Sequence, residues 1–528
     1  MSYDAVVVGA GHNGLVAANL LADAGWSVVV VEATDTPGGA IRSAEITAPG
    51  YLSDLCSAFY PLGAASPAIR ELNLEAYGLH WRHAPAVLAH VLPDDRCVVL
   101  SRDVDATATS VDSFAAGDGA AWRQTYEQWQ RLGPALLDTV LRPFPPVRGA
   151  LRTSRALGIA GLLHGTRYAL LPVRQLAAEL FAGEGGQLLL AGNALHTDLG
   201  PESTGSGAFG WLLAMLGQDV GFPVPEGGAA RIVDALLARL RSRGGELLCG
   251  QPVSQVRMHA GRAVGVRLAS GETIDARRAV LADVPAPSLF LDLVGREHLP
   301  ARFVDDLGHF EWDNSTVKVD WALSGPVPWT AEGARTAGTV HVGADLDGMT
   351  EYATALVTRR IPTAPFLLVG QMTTADPHRS PTGTESVWAY THVPRNLHMS
   401  AGQLREHADR IQGVLERHAP GFGDLVVGRA VNGPQDLQQE NPSLVDGAIN
   451  AGTSAPHQML VFRPVPGLGR ADTPVDGLFL AGASAHPGGG VHGACGANAA
   501  RAALRRNGPA GRIYTAGVRT LNNRIYAG

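Results

Sequence analysis

Three glycines spaced as Gly9-Ala-Gly11-His-Asn-Gly14 carry the first chemical signal in this chain of 528 residues. An apolar run from Asp4 to Val8 precedes them. Helical apolar spacing follows from Leu15 to Ala24, with Gly25 as its stop. A second apolar run, Val28 to Val31, ends on Glu32. Strand, turn, helix, strand and acid in this order build a dinucleotide site. Gly9 permits the tight turn, Gly11 lets the main chain approach a diphosphate, and Gly14 lets helix and strand pack closely. The amides and dipole of the helix start then face the phosphates. The Glu32 carboxylate is placed to accept both ribose hydroxyls and to repel a 2′-phosphate.

Pro37-Gly38-Gly39 and Arg42 extend this site beyond what NAD requires. A second glycine-rich turn closes the chain: Gly482-Ala483-Ser484, then Gly488 to Gly493 with Val491 inside it. A helix starting there turns its positive end toward a ring that gains negative charge on reduction. Together the two turns predict FAD, with its diphosphate near the beginning of the chain and its isoalloxazine near the end. Flavin accepts hydride at N5, so the protein has to supply position and shielding, and a Ser-His-Asp set or a metal-ligand cluster is not expected.

Polar groups that can serve such a ring are few. Lys318 is the only lysine among 42 basic residues. It sits in the strand-like run Thr316 to Leu323, where it shares a face with Asp320 while Val317 and Val319 share the other. The alternative is a solvated strand lysine. His486 and His492 flank the last glycine turn; each can donate to a flavin carbonyl or act as a base, or simply bond the backbone of its loop. Arg463 is read as an anchor for a carboxylate or the flavin, or as half of an ion pair. His341 and His392 read as structural.

The elements that must position these groups divide the chain. The expected fold class is α/β: a Rossmann-type FAD-binding domain, discontinuous in sequence, with an inserted mixed α+β substrate domain. The first is assigned 1–75, 222–290 and 470–506, and the second 76–221, read as mostly helical, with 291–469. Residues 507–528 read as a polar tail.

Composition agrees, with 45% apolar and 17% charged residues. A net charge of −7 argues against nucleic acid as a partner. The four cysteines form no C-x-x-C pair, which argues against a thiol redox centre or a thiolate metal site. No leader-like segment and no span of 18 apolar residues is seen, so the expected location is cytoplasmic. Segment 139–178 holds Arg142, Arg148, Arg152, Arg155, Arg167 and Arg174 and no acid. It suits either a peripheral membrane contact that delivers a lipid-like substrate, or a solvated helical face or subunit contact.

The runs GAGHNGLVAANLLADAGWSVVVVEATDTPGGAIRSAEITAPGY and GLFLAGASAHPGGGVHGACGANAARA resemble the phytoene-desaturase-like FAD oxidoreductases, nearest the branch named for a pyridine nucleotide-disulphide oxidoreductase domain. PEGGAARIVDALLARL, KVDWAL and GTVHVGADLDGM agree with that likeness, which covers most of the chain. The resemblance implies that Gly9, Gly11, Gly14, Glu32, Gly38, Gly39 and Arg42 bind FAD. It further implies that Val253 touches the adenine side and that Gly482, Ala483 and Val491 touch the ribityl chain or ring. Ala483-Ser484 departs from the family, where an aspartate serves the ribityl chain; main-chain amides or Ser484 must substitute.

Such relatives desaturate, saturate or isomerise apolar polyenes, or oxidise amines. The expected function is therefore an FAD-dependent dehydrogenase or desaturase of a small apolar, polyene or lipid-like substrate, with O2, a quinone or a redox protein as electron acceptor. A flavin amine oxidase, a redox-neutral isomerase on reduced FAD and a non-enzymatic prenyl- or lipid-binding protein on the same fold are the alternatives.

Overall fold

The computed structural model describes residues 1–146, 161 and 163–527. β1 (Ser2–Val8), α1 (His12–Asp23) and β2 (Val28–Val31) form where the apolar pattern places them. All four valines of β2 are buried, as a parallel strand covered on both faces requires. β1 lies parallel to β2 on one side and to Thr273–Ala282 on the other, with Val8 opposite both Val31 and Ala282. Glu246–Leu248 extends the sheet beyond β2. Val253–His259 and Arg262–Leu268 form its antiparallel edge, and Leu478–Leu480 pairs parallel to Thr273–Ala282. The parallel strands therefore end together, at Val8, Val31 and Ala282.

A second sheet of seven strands runs in the order 426–432, 315–323, 385–393, 367–371, 337–342, 86–91, 97–100. Alternation sorts its side chains. Val317, Val319, Trp321 and Leu323 join Ile411, Val414 and Leu415 of helix Ala401–His418 in one core. Leu368 and Trp388 face the opposite core, shared with helices Glu184–Leu195 and Ser206–Asp219.

Two stretches differ from the sequence reading. Ala86–Val91 and Cys97–Leu100 are strands inside a region expected to be mostly helical. The first finds its parallel partner at 337–342, some 250 residues away, and local composition carries no trace of such pairing. The stretch expected to be a polar tail contains helix Gly511–Tyr526, whose Val518, Asn522 and Tyr526 recur every fourth residue and are buried. Tyr526 packs edge-on against Phe303 with centroids 5.2 Å apart.

The two ends of the chain meet at one helix pair. Helix Ala494–Arg506 lies against α1, and alanines 497, 499, 500, 502 and 503 share a core with Leu15, Val16 and Leu21. The approach is as close as main chains allow: a Cβ at Gly496 would stand 1.8 Å from the Asn13 carbonyl oxygen. Gly496→Ala should therefore push the two helices apart and cost about 1–3 kcal/mol or more in urea unfolding. Gly517→Ala, in helix 511–526 where a Cβ meets nothing within 4 Å, should be neutral or stabilising by up to about 1 kcal/mol. Equal effects of the two changes would contradict this packing.

Candidate functional site

A cavity of about 420 Å³ opens where the parallel strands end and reaches across to the second sheet, the place where doubly wound folds bind ligands. Its near wall contains Gly9, Gly11, Glu32, Gly39, Arg42, Val253, Ala483 and Val491. Gly14, Gly38 and Gly482 stand behind this wall and let its parts close up. A Cβ at Gly14 would sit 2.2 Å from the Gly9 carbonyl, and one at Gly482 would sit 2.9 Å from that of Val284. The two N-terminal glycine turns join directly: Gly38 N–H donates to the Ala10 carbonyl at 3.0 Å, and a Cβ at Gly39 would meet Gly11 Cα at 3.4 Å.

Glu32 braces this cradle. Its carboxylate accepts from Ala10 N–H at 2.7 Å and from Thr34 N–H and hydroxyl, each at 2.9 Å. Arg42 donates to the Gly39 carbonyl at 3.2 Å and to both the main chain and the carboxylate of Glu440, tying the cradle to the 440 segment. α1 begins at Gly11 without a side-chain cap, which leaves its positive end to a ligand. These features fit an FAD diphosphate and ribose at the near end.

Asp283, which the sequence reading passed over, occupies the centre of the cradle. It follows Thr273–Ala282, and its N–H donates to the Val8 carbonyl at 2.7 Å. Its carboxylate accepts from Gly14 N–H at 2.8 Å, and Cβ atoms at Gly9 or Gly11 would each come within 2.7 Å of Asp283. The glycines thus make room for this carboxyl group as well as for a ligand. Burial pushes its pKa up to about 7, against the Gly14 hydrogen bond and with help from the Glu32 charge. The signal available in sequence was an acid directly after a buried central strand.

His12 Nε2 lies 3.2 Å from the Gly490 carbonyl, linking α1 to the last glycine turn, and burial lowers its pKa to about 4. The other predicted polar groups are placed as follows. Lys318 is buried and off the cavity wall, with Nζ 2.5 Å from both carboxylate oxygens of Asp320. Burial raises the Asp320 carboxyl while Lys318 pulls it back. Lys318 stands near Cys56 on the wall, whose thiol burial pushes up to about 11. His492 Nδ1 accepts the Ala494 N–H at 3.0 Å, just ahead of the Gly493 cap of helix 494–506, and burial, then the nearby His12, lowers its pKa to about 3. His486 Nε2 donates to the Arg142 carbonyl at 2.9 Å, and burial lowers its pKa to about 4. Neither histidine lines the cavity.

Arg463 is buried in a cage of carbonyls. Its guanidinium donates to Ala483, Thr453, Asn450, Ala451 and Gly452, joining the 450–453 loop to the last glycine turn. Burial lowers its pKa to about 10, so it stays charged. Ser484 spends its hydroxyl proton on the Ala451 carbonyl at 3.0 Å and does not line the cavity, whereas Ala483 does.

In the 139–178 segment, Arg142 pairs with Asp138, Arg167 with Glu179, and Arg174 with Glu202 and Asp347. Arg148, Arg152 and Arg155 lie outside the described residues. Among the described residues, no helix is long and apolar enough to cross a membrane, and no group of three or more His, Cys, Asp or Glu could hold a metal. The far end of the cavity is largely apolar, with Phe209, Leu212, Leu213, Phe222 and Trp388, and carries His196, Thr197, Thr339 and Tyr390 as polar groups.

Asp283 yields a pH prediction. Because its folded-state pKa is raised from 3.8 to about 7, its contribution to folding is complete below pH 3.8 and is lost as pH rises through 7. Asp283→Asn should therefore raise the apoprotein melting temperature at pH 8 and leave it little changed at pH 4. FAD affinity of the wild type should weaken above about pH 7, by at most about tenfold per pH unit, while that of Asp283→Asn stays level. Parallel pH profiles for the two proteins would remove Asp283 from this role.

The model of the family described as flavin containing amine oxidoreductase matches residues 14–504. A rat pyridine nucleotide-disulfide oxidoreductase domain-containing protein 2 (Rattus norvegicus) is 29% identical, covering 95% of this chain and 93% of its own. A neurosporene-forming phytoene desaturase of Cereibacter sphaeroides is 24% identical, covering 96% and 95%. Among solved structures, wild-type putrescine oxidase bound to putrescine superposes with a TM-score of 0.60 at 17% identity, covering 96% of this chain and 98% of that one. With the two glycine turns and the cavity between them, these matches make the chain an FAD-binding oxidoreductase that belongs to the flavin containing amine oxidoreductase family.

Proposed function

We propose that the protein is an FAD-dependent dehydrogenase or desaturase acting on C–C bonds of an apolar, polyene- or lipid-like molecule. Its electrons then pass to O2, a quinone or a redox protein. The observation that carries this reading is the far arm of the cavity, where Phe209, Leu212, Leu213, Phe222 and Trp388 form the wall. The lining carboxylates Glu32, Asp283 and Glu440 all belong to the near end. A protonated amine entering the far arm would lose its hydration against a wall that carries no carboxylate, whereas a hydrocarbon gains by leaving water.

FAD, when bound, supplies the hydride-accepting N5. The protein's own contribution is electrostatic and steric. Helix 494–506 turns its positive end toward the Val491 side of the wall, and the caged Arg463 charge stands directly behind Ala483. Both favour negative charge at that end of the cavity. The apolar arm excludes water and holds the substrate against the same wall. Lys318 acts here as a positioning residue: its charge neutralises Asp320 inside the sheet beneath Cys56.

The purified protein should be yellow, and anaerobic addition of polyenes should bleach the flavin while amines leave it oxidised. Bleaching by amines alone would make it an amine oxidase instead. Lys318→Met should strand a buried carboxylate and cost about 3–5 kcal/mol in urea unfolding. Lys318→Met with Asp320→Leu should recover most of that loss, with bound-flavin reduction rates close to wild type. A double variant that is stable yet reduced much more slowly would return Lys318 to the chemistry.

A further inference from the structure

His196 belongs to a chain of three histidines that begins on the cavity wall and runs inward. It caps the end of helix Glu184–Leu195 and lines the apolar arm. Its Nε2 lies 2.8 Å from Nε2 of His341, on strand Ala337–Val342. Strand Ala86–Val91 lies parallel to that strand with His90 directly opposite His341, and the two rings meet edge-on with centroids 5.6 Å apart. His90 Nε2 lies 2.9 Å from the Ala344 carbonyl. Gly192 makes the stack possible: a Cβ there would stand 2.3 Å from His341 Nδ1 and 3.2 Å from His90 Nδ1.

The protons of the chain follow from its fixed end. A carbonyl only accepts, so His90 carries its hydrogen on Nε2 and presents a bare Nδ1. That nitrogen and His341 Nδ1 converge beside Gly192, both buried and without a hydrogen-bond partner. We assign the hydrogen of His341 to Nδ1, which avoids two bare nitrogens beside the same glycine and leaves its Nε2 bare. His196 then donates from Nε2 to His341, and its own Nδ1 is the lone-pair nitrogen. Burial keeps the rings neutral, lowering His90 to about 4 and His196 to about 3, with His392 adding to the second shift.

We propose that His196 is the polar anchor of the substrate, accepting a hydrogen bond from a hydroxyl group on an otherwise apolar molecule. This inference rests on the reading of the cavity as a site for apolar substrates. An ammonium group satisfies the geometry less well, because no carboxylate lines the arm beside His196. A carbonyl or an ether would meet the ring lone pair with another lone pair.

The test uses FAD-loaded enzyme, with 1-decanol, decane and decylamine titrated separately and binding read from the flavin absorption spectrum. The wild type should bind 1-decanol more tightly than decane or protonated decylamine. His196→Phe, which keeps the ring and removes both nitrogens, should weaken 1-decanol about tenfold, the loss of one hydrogen bond, and leave decane unchanged. His196→Gln, which restores an acceptor oxygen, should recover part of the alcohol affinity. Equal binding of alcohol and hydrocarbon to the wild type, or equal weakening of both by His196→Phe, overturns the anchor and leaves the apolar-substrate reading intact. Preference for decylamine overturns the anchor as a hydroxyl site. Failure of both decanol and decane to bind overturns the apolar-substrate reading and the anchor with it.

Discussion

Backbone-to-backbone contact through glycine is the constraint on which this structure depends. Gly14 against the Gly9 carbonyl, Gly39 against Gly11 and Gly496 against the Asn13 carbonyl bring three remote stretches of chain within van der Waals range. Gly14 and Gly496 leave no room for a Cβ, and Gly39 holds a left-handed φ of 56° that a side chain would strain. What results is a wall made largely of main chain, whose amide groups and helix ends face a ligand at a distance that side chains would prevent. The cofactor site is thus a consequence of helix packing: moving helix 494–506 away from α1 would separate the diphosphate end from the ring end.

Charge is arranged along that wall as deliberately as shape. Glu32 and Asp283 put carboxyl groups beside the place for a diphosphate, which is itself negative. Glu32 is bonded into its turn three times, whereas Asp283 holds one main-chain amide and sits at a pKa of about 7. Burial moves Asp283 toward its neutral form, and a neutral carboxyl at that place would favour a negative ligand beside it. At the opposite end the positive charge of Arg463 is enclosed by carbonyl dipoles instead of a carboxylate. Carbonyls hold the side chain in place without cancelling its charge, so its field still reaches the neighbouring cavity.

Local patterns made much of this readable before any coordinates. The run from Asp4 to Glu32 contains its own strand, turn, helix and strand, and each has a periodicity or a glycine that marks it. The same holds for Leu478–Leu480 and the helix after Gly493. Strand 86–91 was obscured because its parallel partner at 337–342 lies far along the chain, and with it strand 97–100, which pairs with 86–91 at the sheet edge; the helix at 511–526 was obscured because its buried positions include a glycine and an asparagine. Lys318, His486 and His492 were conspicuous by residue type and by closeness in sequence to the strand or turn. In the fold their side chains are engaged with Asp320, a carbonyl and a helix start. Asp283 and His196 were missed for the reverse reason: each is an ordinary residue at the end of an element, and its importance comes from which other ends meet it.

The far arm shows how a site can be selective with few polar groups. Phe209, Leu212, Leu213, Phe222 and Trp388 offer any apolar molecule the same gain, so they exclude water without choosing among hydrocarbons. Discrimination has to come from the polar groups present, and a polar group in such surroundings is costly unless its hydrogen bonds are made. The histidine chain supplies one, held by its bond to His341 with His90 fixed behind it on the Ala344 carbonyl. A fixed tautomer is a stronger filter than a free imidazole, because it presents one hydrogen-bonding sense only. Gly192 leaves the room that the His341 and His90 rings fill, so the selectivity of the arm, like the cofactor cradle, rests on a missing Cβ.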